Sequence, residues 1–231
     1  MRLSQSILLS ALAATSVSAA SQDKELLQTI VTSFGGITNR TMNVTGEIAA
    51  LKGSDLNTAL PIQSATTELV SYINNATTAV NKYNLNLTNE EATVLGPYTQ
   101  GLAYTVNTSI ATLIGKKPDF LQLNLGGLVI TSLQQQQNAS NDFSKAILSR
   151  IPPGIFPIAT AINSQIADSL QQGVDCFMGK NETCNATPVN ASRTLDYAED
   201  TGAITAAAAL PARATGAVAW AVVMGAAAFV V

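Results

Sequence analysis

The chain has 231 residues, with 12 Lys and Arg against 15 Asp and Glu, a formal net charge of −3 and no histidine. Positive charge this sparse excludes a nucleic-acid partner: holding phosphates takes clustered Lys and Arg, and Lys116–Lys117 is the only adjacent basic pair. The missing histidine removes the commonest general base and metal ligand, and with it every Ser-His-Asp or His-metal scheme.

In chain order, residues 1–19 read as a secretory leader. Arg2 supplies the positive charge, Ile7 to Ala14 the short apolar region, and Val17-Ser18-Ala19 a small-residue cleavage site, so the mature chain begins near Ser21. The apolar stretch is too short to span a hydrocarbon core of about 30 Å at about 1.5 Å per residue.

Five helical patterns follow, separated by breakers. The first, from Lys24 to Leu51, places Leu27, Ile30, Phe34, Ile37, Thr41, Val44, Ile48 and Leu51 three or four apart, and Gly35-Gly36 is expected to interrupt it with a kink. The second, Pro61 to Tyr83, carries Ile62, Ala65, Leu69, Ile73, Ala76 and Val80 on one stripe. Pro61 suits its first turn. Thr88 caps the third, with Glu90 and Glu91 in the first turn and Leu95, Leu102, Val106, Ile110 and Leu113 beyond. Pro97 predicts a break or kink near Gly96. The fourth, Leu125 to Ser149, carries Leu128, Leu133, Phe143 and Ile147, and Gln134 to Gln137 puts glutamine where its stripe should be apolar. Pro152-Pro153-Gly154 turns the chain into the fifth, Phe156 to Phe177, with Ile158, Ile162, Ile166, Leu170 and Val174. No strand alternation persists, so an all-α antiparallel bundle of about five helices occupies residues 21–178.

Residues 179–200 change character to sequons, Ala and Thr, and read as a disordered glycosylated stalk. From Ala214 to Val231 the chain is apolar and stops there, the pattern of a GPI-anchor signal over 201–231, with attachment at Asp200 or Gly202. Cys176 and Cys184, eight apart on a secretory route, are expected to form a local disulfide; two cysteines alone make no structural zinc site. Nine N-x-[ST] sequons occur, at Asn39, Asn43, Asn75, Asn86, Asn107, Asn138, Asn181, Asn185 and Asn190. Chance would place about three among 17 Asn and 43 Ser and Thr, so the excess argues for N-glycosylation.

Three stretches carry a resemblance: Ala59 to Leu69 (ALPIQSATTEL), Gly115 to Phe120 (GKKPDF) and the run from Phe143 to Phe177. Over residues 26–177 the chain resembles the fungal hydrophobic surface-binding protein A family, which includes the cell-wall galactomannoproteins. The resemblance implies a small helical domain without enzymatic activity that adsorbs to hydrophobic surfaces or encloses a fatty acid between its helices. It carries over no catalytic residue and no cofactor. The stripes then point to Ile62, Leu69, Ile73, Leu102, Val106, Leu133, Phe143, Ile162 and Ile166 as the apolar lining of a lipid site. Ser64, Ser132 and Gln136 are candidate donors to a polar head, and Lys116 and Lys117 could sit at a mouth.

No catalytic or metal constellation competes with this reading. Glu90 and Glu91 point about 100° apart on a helix and suit its dipole better than paired acid-base work. The expectation is therefore a secreted, GPI-anchored cell-wall mannoprotein. Its partners are a fatty acid or other hydrophobic ligand or surface, the membrane through its anchor, and wall glucan. The alternative is a purely structural glycoprotein of the coat.

Overall fold

The computed structural model describes residues 10–53, 55–179 and 184. The first nine residues of the expected leader and the sequons at Asn181, Asn185 and Asn190 lie outside them. So does the expected stalk and anchor signal, Asp200 and Gly202 included, except for Gly179 and Cys184.

Among the described residues the chain is helical, as the periodicity predicts. The helices are α1 (Ser10–Ala50), α2 (Leu60–Asn81), α3 (Asn89–Gly115), α4 (Lys117–Gln122), α5 (Gly126–Leu148) and α6 (Phe156–Phe177). Short 3₁₀ turns at Leu56–Thr58 and Pro153–Ile155 precede α2 and α6. On α1 the buried stripe runs from Leu26 through Ile30, Phe34, Ile37, Thr41, Val44 and Ile48 to Leu51, so it starts one residue earlier than the spacing suggested. On α2 the inward set is Ile62, Ala65, Thr66, Leu69, Ile73, Ala76 and Val80, with Pro61 in the first turn. A capping box opens α3: the Glu91 amide donates to Thr88 Oγ1 at 3.3 Å and the Thr88 amide to Glu91 Oε2 at 3.0 Å.

Three local expectations are corrected. Pro97 does not break α3, which runs unbroken from Asn89 to Gly115. Pro97 and Thr93 are both exposed, so the carbonyl deprived of its donor faces water, while Leu95 and Leu102 on the inner side stay buried. The Thr99 hydroxyl also donates to the Leu95 and Gly96 carbonyls at 3.1 and 2.8 Å. Nor does Gly35-Gly36 interrupt α1. Gly36 serves packing instead, since a Cβ there would fall on the Tyr72 hydroxyl of α2. The Tyr72 ring lies 3.9 Å under the Arg40 guanidinium, whose Nε pairs with Glu68 at 3.2 Å. Finally, the connection after α3 holds a sixth helix, α4, too short for periodicity to reveal; it buries only Phe120.

Successive long helices reverse direction, but spatial neighbours are not always sequence neighbours. α1 packs on α2 and α3, α3 on α6, α6 on α5, and α5 back on α2, which closes a ring of five. The ring places α2 parallel to α5, since the first turns of both meet at one end of the axis and their later turns at the other.

The two ends are closed by different means. At the end holding the C-termini of α1, α3 and α6, Lys116 Nζ donates to the Leu51 carbonyl at 2.9 Å and pairs with Asp119 at 3.3 Å. Lys117 Nζ donates to the Cys176 carbonyl at 2.8 Å. The expected Cys176–Cys184 disulfide is formed there, with Cα atoms 5.4 Å apart, and Phe120 and Phe177 meet edge to face. At the other end the Leu87 amide donates to the Arg150 carbonyl at 2.7 Å, and Thr29 and Tyr83 share a hydroxyl bond of 3.1 Å.

A lumen along the bundle axis

A ring of five helices surrounds its axis without a helix to fill it, and the side chains leave two cavities in line. The first lies between Phe34 and Ile37 of α1, Leu69 and Ile73 of α2, Leu102 and Val106 of α3, Phe143 and Ile147 of α5, and Ile162 and Ile166 of α6. The second lies toward the disulfide end, between Val44 and Ile48, Ile62, Ile110 and Leu113, Phe120, and Leu128 to Leu133. With their open mouths included they hold about 760 and 570 Å³. Room in which a water's centre can move is only about 80 and 50 Å³. A single water needs about 10–15 Å³ by that measure, so a long ligand enters only as side chains turn aside.

Gln136 lines both cavities. It belongs to a polar stripe on α5, Ser132, Gln136, Ser140 and Ser144, spaced four residues apart and facing the lumen. All four are half-buried. Their side chains make no hydrogen bond to another described residue. Among the described residues no Asp, Glu, Lys or Arg lines either cavity, and no group of metal-ligating side chains occurs.

The structure brings most of the expected lining together. Leu69, Ile73, Leu102, Val106, Phe143, Ile162 and Ile166 face the first cavity, and Ile62, Ser132 and Leu133 the second. Ser64 is the exception. It is exposed over a shallow hollow on the outer face of α2, because two residues past the inward Ile62 the helix has turned to its far side. Lys116 and Lys117 line neither cavity, since both ammonium groups are held by main-chain carbonyls at the bundle end. Sequence reasoning missed Ser140 and Ser144, although their spacing from Gln136 was readable. It also left out the α1 contribution of Phe34 and Ile37, which was assigned to the core alone.

Among the sequons, Asn39, Asn43, Asn75, Asn86 and Asn138 are exposed. Asn107 is not: it is 9% exposed on α3, beside Val106.

Residues 27–149 match the model of a family described as hydrophobic surface binding protein A. Cell wall mannoprotein 1 of Aspergillus flavus is 31% identical over 144 residues, which is 62% of this chain and 51% of that protein. The chain thus spans about half the length of that relative. Ligand binding domain 1 of the Penicillium marneffei MP1 protein, solved complexed with arachidonic acids, superposes with a TM-score of 0.60 at 24% identity, covering 67% of this chain and 98% of that one. AFMP4P, solved in complex with palmitic acid, gives 0.62 at 22% identity over 65% and 99%. Likeness at these identities speaks for a shared fold.

Proposed function

Because the chain belongs to the hydrophobic surface binding protein A family, we propose that it is a non-enzymatic surface mannoprotein domain whose lumen takes a fatty acid or another long apolar ligand. The observation that carries this reading is the pair of in-line cavities, walled by apolar side chains. The crystallised ligands of the two solved neighbours support it.

The energetics are adequate. Burying the methylenes of a sixteen-carbon acid contributes roughly 12 kcal/mol at about 0.8 kcal/mol each. Lost rigid-body freedom takes back about 4–15 kcal/mol. What remains suits affinities from negligible to about micromolar, decided by how much the side chains must move. With no cation among the described lining residues, an ionised carboxylate belongs at a mouth, in water, while the chain lies inside.

In this reading the protein is secreted through its leader, anchored by glycosylphosphatidylinositol at Asp200 or Gly202, and displayed at the cell wall. Glycans sit on the exposed sequons of α1, α2 and α5 and the loop at Asn86, and Asn107 carries none. A sugar found on Asn107 by glycopeptide mapping would contradict the fold as described.

Titrating delipidated protein with a fluorescent fatty acid tests the ligand. A saturable signal, and added palmitic acid stabilising the fold by about 2.7 kcal/mol at a hundredfold excess over Kd, are expected. Absence of both, with no lipid co-purifying, would leave only a coat scaffold.

A further inference from the structure

The polar stripe sits oddly in a lumen built for hydrocarbon. Polar groups set among apolar side chains require partners, and Gln136, which borders both cavities, has none among the described residues. Its position is central. Along α5 and the Leu125 that precedes it the linings run to Leu148, and Gln136 lies eleven residues from one end and twelve from the other. At about 1.5 Å per residue that is about 34 Å of wall with the amide at its midpoint. A bilayer's hydrocarbon core, two acyl tails end to end, is about 30 Å thick. The lumen is therefore as long as two tails, with one uncharged hydrogen-bonding group where they would join.

The charge pattern narrows the occupant. Among the described residues no ionised side chain lines either cavity, Lys116 and Lys117 are held by main-chain carbonyls, and Arg150, two residues past Leu148, is not part of the lining. An anion at the midpoint would be desolvated without a counter-charge, whereas a neutral oxygen function is served by an amide. We propose that the lumen is fitted to one long neutral lipid carrying an uncharged oxygen function near its middle, a long-chain ester being the simplest. The Gln136 amide donates to the ester carbonyl, one alkyl arm fills each cavity, and Ser132 and Ser140, about 6 Å to either side, take up the position when the arms differ in length. The proposal rests on the reading of the lumen as a site for apolar ligands, and names the ligand class.

The test uses the mature, delipidated glycoprotein and native mass spectrometry. Oleyl oleate, an n-alkane of equal length, a mid-chain secondary alcohol of equal length and palmitic acid are delivered separately from cyclodextrin. The expected result is one oleyl oleate per chain, bound at least tenfold more tightly than the alkane. Gln136→Met, of similar size but without donor or acceptor, should reduce that preference below threefold. A preference for the alcohol that matches the ester's supports the same site and identifies hydroxyl lipids as its source.

Equal binding of ester and alkane by the unaltered protein overturns the proposal and needs no variant. So does a preference that survives Gln136→Met. Palmitic acid binding while the ester does not overturns this proposal alone. Failure of all four probes overturns the lumen reading with it.

Discussion

On α1, Ser33, Thr41 and Thr45 each donate to the carbonyl one turn back, at 2.7, 2.9 and 2.7 Å, while on α5 Ser132, Ser140 and Ser144 make no bond to another described residue. The two helices carry the same kinds of hydroxyl, and α5 shows the usual back-bond on its outer side, where Thr131 donates to Gly127 at 3.0 Å. What differs is whether the hydroxyl turns back onto its own helix. Ser33, Thr41 and Thr45 satisfy themselves locally, Thr41 even though it lines the first cavity. The inner hydroxyls of α5 face unfilled space. One helix pairs its own hydroxyls, and the other leaves them open to the lumen.

Truncations should separate the two walls most clearly. Ile30 of α1 is wholly buried, so Ile30→Ala should cost about 3–5 kcal/mol in a denaturant titration. Leu148 of α5 is half-buried against the cavity, and Leu148→Ala should cost about 2 kcal/mol or less, because the space beside it is already empty. Equal losses would mean that the lumen is packed in solution.

The disulfide gives the next largest effect. Replacing Cys176 and Cys184 together by Ala should remove about 2–3 kcal/mol, the closure entropy of a short loop. Neither cysteine lines a cavity, so lipid stoichiometry should stay as it was. A change in stoichiometry would show that closure of this end shapes the lumen.

The smallest effect bears on the hydroxyls themselves. Ser33→Ala should cost about 1 kcal/mol for its lost bond, and Ser140→Ala about nothing in the lipid-free protein. A matching loss at Ser140 would reveal a partner and undo the contrast.

Much of this was legible in the residues. The stripes of α1 and α2, the Thr88 cap and the Cys176–Cys184 pair are local signals, and each needs only a few neighbouring positions to be read. Gln136 and Ser132 stood out as polar residues on an apolar face. What escaped depended on distance along the chain. The ammonium groups of Lys116 and Lys117 look free in sequence because the carbonyls that hold them, Leu51 and Cys176, lie 65 and 59 residues away. Ring closure by α2 against α5 could not be read either, since antiparallel hairpins predict only neighbours in sequence. Pro97 misled on the break because helix propensity was weighed without the buried side that carries α3 through it.

The central claim is that the five-helix ring encloses a ligand-binding lumen. Native mass spectrometry of the protein purified from its own source, without added lipid, tests it most directly. The account predicts a lipid adduct that leaves on denaturation, in a stoichiometry that replacing Val106 on the lumen wall by Trp abolishes while the fold persists. A bare polypeptide-plus-glycan mass, unchanged after exposure to palmitic acid, would contradict it.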